Sequence, residues 1–296
     1  MSDSGRSGFV TLIGRPNSGK STLVNTLVGE KISIVTDKPQ TTRNVIRGIV
    51  TRPEGQVVFL DTPGIHKPIH RMNDRMMKAV RSSFNEVDVV ALIVDASVAF
   101  GGGDEFTLEL IKPLTKPKLL LLNKIDKVKK EDLLPQIERY SKSLNFEEVI
   151  PISAKTGENV EAFLKALFRF LPSGPRFYSD DQFSDQNERT MTAEIIREKV
   201  IIATRDELPY STAVVIDRFE ESEKINRIYA TVFVERESQK AILIGKGGLQ
   251  MKAIGTSARI ELESFLGRKV FLELHVKVSK NWRDDESRLS GFGFAE

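Results

Sequence analysis

Gly14-Arg15-Pro16-Asn17-Ser18-Gly19-Lys20-Ser21-Thr22 follows the apolar run Phe9–Ile13 and precedes a helix-compatible segment, Leu23–Leu27. Strand, glycine-bounded loop and helix start are the setting in which the spacing G-x-x-x-x-G-K-S builds a phosphate-binding loop. The glycines let backbone N–H groups wrap a polyphosphate where a helix N-terminus already favours anions. Lys20 then reaches the β- and γ-phosphates, and the Ser21 hydroxyl ligates Mg²⁺. The bland alternative is an ordinary glycine-rich turn, and the flanking strand and helix patterns weigh against it.

Outward from this loop, Glu30–Thr42 is polar and broken by Pro39, which predicts a long loop. Strands are expected at 44–51 and 56–60, joined by a Pro53-Glu54-Gly55 hairpin turn. The runs Val89–Val94 and Leu119–Leu122 are nearly all apolar, as parallel strands covered on both faces are. Helix-like segments at 72–85, 104–112, 131–144 and 158–171 separate them. In the last, Phe163, Leu167 and Phe170 recur at helical spacing as a core stripe. Met72, Met76 and Met77 read in the same way, as a packing face. Alternation of this kind predicts a doubly wound α/β sheet with ligands at the strand carboxyl ends.

A length of 296 residues suits two domains. Pro172-Ser173-Gly174-Pro175 ends the α/β pattern, and the acidic, polar stretch after it predicts a linker over 173–189. The expected division is 1–172, 173–189 and 190–296. With 44 basic and 41 acidic residues, overall charge makes no case for nucleic acid, so any such case must be local. The absence of cysteine excludes disulfides and thiolate metal sites. His66 and His70 stand at i,i+4, but Pro68 between them breaks a helix, so a surface loop accounts for both better than zinc does. Met1–Arg6 has no secretory apolar core, and no apolar run approaches the roughly 20 residues of a membrane span. A cytoplasmic, soluble protein is expected.

Asp61-Thr62-Pro63-Gly64 ends a strand about 40 residues past the phosphate loop. Asp61 is the expected Mg²⁺ partner, and the Gly64 N–H would sense the γ-phosphate. Asn123-Lys124-Ile125-Asp126 follows another strand. A carboxylate at Asp126 accepts two hydrogen bonds from guanine N1–H and the N2 amine. Adenine has neither donor and would leave the carboxylate unpaired. Ser153-Ala154-Lys155, after a further strand, supplies a third pocket wall; alone it carries almost no weight.

These motifs, in this order, resemble a GTPase domain of the translation-factor-related class over residues 8–172. Within that class, Gly14–Ser21, Lys38-Pro39-Gln40-Thr41-Thr42-Arg43 and Asp61-Thr62-Pro63-Gly64-Ile65-His66 resemble the Era family. The resemblance implies a first switch at 30–44, with either Thr42 or Thr41 as a Mg²⁺ ligand in the triphosphate state, and a second switch at 61–85. Ile65 stands where Ras-type proteins place the glutamine that orients attacking water. Hydrolysis must then be slow or use other means. Related GTPases with an apolar residue here hold K⁺ with a phosphate-loop asparagine, which points to Asn17; stabilisation of the loop is the alternative role for that residue. Lys20, Thr42, Gly64 and Asn17 are therefore the candidate catalytic groups.

Beyond the linker, elements are expected in the order α-β-β-α-α-β, with Ile244-Gly245-Lys246-Gly247-Gly248 between two helices. This α+β arrangement resembles a type II KH domain, whose G-x-x-G loop clamps single-stranded nucleotides. From Gln239 to Ile260 the sequence carries Lys240, Lys246, Lys252 and Arg259 and no acidic residue. Lys252 and Arg259 join the loop as candidate RNA contacts. Ile244 and Ile254 suit either a groove wall or the core. The tail from Asn281 either packs on the sheet or meets RNA. Joined to the Era-like domain, the KH-like domain implies a GTPase that binds the 3′ end of small-subunit ribosomal RNA and assists assembly of that subunit. A monomer is implied too, and a peripheral contact with the inner face of the membrane stays open, although no amphipathic basic anchor stands out. The competing reading is an RNA-binding scaffold that holds nucleotide with negligible turnover.

Overall fold

The computed structural model describes residues 5–294. The chain divides into two compact units. The first runs to Ser33 and adds Thr42–Pro68 and Met76–Asp185; the second gathers Ile34–Thr41, Ile69–Arg75 and the chain from Gln186 onward.

The first unit contains β1 (Arg6–Ile13), α1 (Lys20–Val28), β2 (Ile46–Arg52), β3 (Gly55–Asp61), most of α2 (Arg71–Glu86), β4 (Val89–Asp95), α3 (Gly102–Ile111), β5 (Lys118–Asn123), α4 (Leu133–Ser143), β6 (Glu148–Pro151) and α5 (Val160–Phe168). Its sheet has the order β2-β3-β1-β4-β5-β6. Only β2 is antiparallel to its neighbour, across the hairpin turn at 53–54. Strand residues alternate between two cores because successive side chains point to opposite faces. Leu119 and Leu121 join Leu23, Phe163 and Leu167 on one face. Leu120 and Leu122 join Met77, Val80, Phe84 and Leu108 on the other. Both faces are covered, which is why these strands read as unbroken apolar runs.

The expected linker has a more definite structure over its first part. Up to Asp185 it is strapped to the first unit, bridging Arg6 at Ser173 and Gly48 at Ser184. Gln56, fully buried, accepts from the backbone N–H groups of Phe177 and Tyr178, both at 2.9 Å, and donates to the Tyr178 carbonyl at 3.0 Å. A buried amide needs such partners, and the strap supplies them.

The second unit contains α6 (Glu188–Ala203), β7 (Ala213–Glu220), β8 (Ile225–Val234), α7 (Glu237–Ile244), α8 (Leu249–Leu266), β9 (Lys269–Val278) and α9 (Glu286–Gly291). Its sheet, β7-β8-β9, pairs β7 with β8 antiparallel and β8 with β9 parallel. Ile195, Ile196, Val200, Ile228, Val232, Leu243 and Leu262 form the core beneath it. The tail packs on this unit: Trp282 is fully buried and its indole N–H donates to the Ser211 carbonyl at 3.1 Å. No helix among the described residues is long and apolar enough to cross a membrane.

Candidate nucleotide site and nucleic-acid groove

In the first unit, the loops after β1, β3, β5 and β6 converge at the strand carboxyl ends. They carry Gly14–Thr22, Asp61–Ile65, Asn123–Asp126 and Ser153–Lys155 respectively. Asn123 ties three of these stretches together. Its amide donates to the Ser18 carbonyl at 2.8 Å, and its side-chain oxygen accepts from the Ala154 N–H at 2.9 Å. That close approach dictates a glycine at position 19, where φ is 101° and a Cβ would lie 2.1 Å from the Asn123 amide.

Lys20 is buried and folds back on its own loop, donating to the carbonyls of Gly14 at 3.1 Å and Arg15 at 3.0 Å. Burial lowers its pKa from 10.5 to about 8, against a pull in the other direction from Asp61. Asp61, fully buried, has two carboxylate oxygens without a hydrogen bond. Its pKa is raised, chiefly by burial, while Ser21, Lys20 and Ser33 lie close enough to oppose the shift. An unpaired buried carboxylate is costly, and a cation is the partner that would satisfy it. Beside it, the Ser21 and Thr42 hydroxyls are 2.8 Å apart. Oxygen-only donors of this kind fit a hard cation such as Mg²⁺.

Thr42, not Thr41, therefore stands next to Ser21. The Thr41 hydroxyl is engaged in its own loop, donating to the Lys38 carbonyl at 2.7 Å. Gly64 is buried and its carbonyl lies 2.7 Å from His66 Nδ1. Ile65 donates its N–H to the Gly14 carbonyl at 3.0 Å, and its side chain is buried in an apolar cluster. Thr62 donates to the Leu12 carbonyl at 2.7 Å. Asn17 is exposed, with a left-handed φ of 63°. His70 Nδ1 is 3.0 Å from Asp284.

At the base-side rim, Ser153 donates to Asp126 at 2.7 Å. Lys124 donates to the Asn17 carbonyl at 2.7 Å and pairs with Asp95 at 2.6 Å. Partial burial works against Asp95, yet hydrogen bonds from Lys124 and Ser97 hold its carboxyl below the usual range. Lys155 is exposed beyond it. Two residues in this network had escaped sequence reasoning. Asp95 is one; Asp104, which pairs with Arg15 at 2.9 Å, is the other. Asp95 had a signal, since it ends an apolar parallel strand where ligands collect. Asp104 had none beyond helix capping.

In the second unit, α7, the Gly245–Gly248 turn, α8 and β9 enclose a groove of about 480 Å³. Ile244, Gly248, Lys252, Arg259, Leu274 and Val276 are among its walls. Ile244 is half-buried there, whereas Ile254 lies in the core. Gly245 (φ 72°) sits where a Cβ would meet Gln250 at 2.6 Å; Gly247, with Lys246, is exposed at the tip with nothing nearby. Arg259, also at the groove edge, pairs with Glu263 at 3.2 Å. An apolar floor with a basic lip suits bases laid flat and phosphates against backbone N–H groups.

A sequence profile described as "50S ribosome-binding GTPase" matches residues 9–124, and one described as "KH domain" matches residues 207–283. GTPase Era of Staphylococcus haemolyticus is 47% identical over 292 residues, 98% of each chain. A crystal structure of Era with MgGDPNP and nucleotides 1506–1542 of 16S ribosomal RNA superposes with a TM-score of 0.95 at 39% identity, covering 99% of this chain and all of that one. A variant of Aquifex aeolicus Era bound to GDP·AlF₄⁻ gives 0.94 at 38% identity, covering 98% and 100%.

Proposed function

The chain belongs to the Era family of GTPases, and on that premise we propose a GTP-hydrolysing switch that binds the 3′ end of small-subunit ribosomal RNA and assists assembly of that subunit. The observation that carries this reading is one chain holding both an Asn123/Asp126 base pocket buttressed by Ser153 and an acid-free G-x-x-G groove. A relative matched over its whole length was captured with nucleotide and 16S RNA together.

In this reading Gly14–Thr22 wraps the phosphates with backbone N–H groups, and Lys20 leaves its loop carbonyls to reach them. Ser21, Thr42 and Asp61 hold Mg²⁺, directly or through water. When bound, that ion neutralises charge developing on the phosphates. Gly64 offers its N–H to the γ-phosphate, so loss of that phosphate releases the segment after it. Ile65 has no polar side-chain atom and is buried, so nothing at this position orients water as a glutamine does. Turnover is accordingly slow, and K⁺ held at Asn17 raises it by supplying charge an arginine finger supplies elsewhere. In the second unit Ile244–Gly248, Lys252 and Arg259 hold the RNA. The protein works in the cytoplasm as a monomer, with the small subunit as its partner and a peripheral contact with the membrane.

Phosphate release under multiple turnover, in KCl and in NaCl, with and without a 3′-terminal rRNA fragment, tests the whole reading. Steady release that is faster in KCl, together with tighter RNA binding in a GTP analogue than in GDP, is the expected result. The buried Ile65 favours one rival, an RNA-binding scaffold without useful turnover. RNA binding with no phosphate release would establish that rival instead.

A further inference from the structure

The second unit contains not only the groove but also Ile34–Thr41, the segment that leads directly into Thr42. Two adjacent residues of α6 hold it there. Arg197 donates Nη2 to the Thr41 carbonyl, and Glu198 accepts from the Val35 N–H at 3.0 Å. Both side chains are almost fully buried, each 3% exposed. Glu194 fixes the Arg197 guanidinium from two sides, through Nε at 2.8 Å and Nη2 at 2.5 Å. Its third nitrogen, Nη1, is buried with no partner. A guanidinium in the interior with one nitrogen unsatisfied contributes little to stability by itself. Its fork geometry is instead suited to fixing one carbonyl in one place.

The same turn of α6 also reaches the groove helix. Glu198 pairs with Lys199 at 3.0 Å, and Lys199 pairs with Glu261 on α8. Glu261 lies two residues from Arg259 at the groove edge. Adjacent residues of α6 thus hold both ends of the 34–41 segment, and one of them, Glu198, is joined through Lys199 to the groove helix.

We propose that Arg197 and Glu198 are positioning residues for GTP hydrolysis: α6 sets the segment that carries Thr42 to its place beside Ser21, and Lys199 links that setting to α8. The proposal rests on the functional reading above. It makes the threonine hydroxyl dependent on two side chains far along the chain from the nucleotide motifs, which leave the base pocket and the phosphate loop untouched.

The test uses the full-length Arg197→Lys and Glu198→Gln proteins beside wild type. Lysine keeps the charge but loses the fork; glutamine keeps an acceptor for Val35 but weakens the pair with Lys199. Expected results are a kcat for GTP lowered ~10-fold or more in Arg197→Lys with KM nearly unchanged, and faster tryptic cleavage after Arg43, which directly follows Thr42, in the GDPNP-bound state. Glu198→Gln should keep the cleavage pattern of wild type but narrow the difference in RNA affinity between GDPNP and GDP. Wild-type kcat and wild-type cleavage in an Arg197→Lys protein that binds GDP normally would overturn the proposal. Absence of turnover or RNA binding in wild type would instead remove the functional reading.

Discussion

The Ser153 hydroxyl donates to the Asp126 carboxylate at 2.7 Å, which restrains an acid that otherwise stands exposed. In the proposed function this restrained carboxylate accepts from guanine N1–H and the N2 amine. Xanthine carries an oxygen in place of that amine. Asp126→Asn should therefore lose GTP affinity by about 10²-fold or more and gain affinity for xanthosine triphosphate, because the amide can donate where the carboxylate only accepted. Competition binding with the two triphosphates measures the switch, and an unchanged preference for GTP would remove Asp126 from base recognition.

Lys20 gives nucleotide binding a pH dependence of defined sign. Burial holds its pKa at about 8 in the nucleotide-free protein, below the usual 10.5. Below about pH 8 the cost of the buried charge is borne in full, and it is relieved as pH rises from about 8 toward 10.5. Phosphates restore the charged form. Binding GDP should thus take up close to no proton at pH 6.5 and approach one proton at pH 9, with affinity falling over that range. Calorimetry in buffers of different ionisation enthalpy reads the uptake directly.

The fold was legible where its signals are local. The turn at Pro53-Glu54-Gly55 announced the β2–β3 hairpin, and Val89–Val94 and Leu119–Leu122 announced buried parallel strands. Asn123, by contrast, was legible as a motif but not as the brace between Ser18 and Ala154, which are 105 and 31 residues away. The Arg15–Asp104 and Lys124–Asp95 pairs, and the choice of Thr42 over Thr41 beside Ser21, likewise depend on which loops the sheet brings together. Composition reads 173–189 as a linker and does not report that the stretch up to Asp185 is strapped to the first unit. Backbone groups of Phe177, Tyr178 and Phe183 satisfy a buried Gln56 and the edge of β2, which no local pattern reports. Ile254 shows the same limit, since an isoleucine on a helix next to a groove has one pattern for wall and core alike.

Trp282 is the chain's single tryptophan and is wholly buried, 5.3 Å from the Phe292 ring and 5.7 Å from Phe294. Trp282→Ala should destabilise the protein by about 3–5 kcal/mol through the cavity it leaves. Trp282→Phe should cost less, with about 1 kcal/mol of it from the lost hydrogen bond to Ser211. Urea denaturation followed by circular dichroism compares the two. In wild type, the emission of this residue should be blue-shifted and should move red on unfolding, which makes it a native probe of the tail's docking.

The groove can be disabled without touching the nucleotide site. Lys246 and Gly247 lie exposed at the tip of the turn, and Gly247 has φ 60° with open space around it. Aspartate tolerates that left-handed backbone better than most residues, so a K246D/G247D protein should fold with a melting temperature close to wild type. Two new carboxylates would repel the phosphates that the proposed RNA contact brings to this turn. Affinity for a 3′-terminal rRNA fragment should drop ~10-fold or more, with a shallower dependence on salt because a phosphate contact is gone. GTP hydrolysis without RNA should be unaltered, since both residues stand in the exposed turn, away from the nucleotide motifs and from the contacts of Arg197 and Glu198 with the 34–41 segment. Gel-shift titrations across a range of KCl concentrations separate the two effects. Undiminished RNA binding by a folded K246D/G247D protein would move the RNA contact away from the α7–α8 turn.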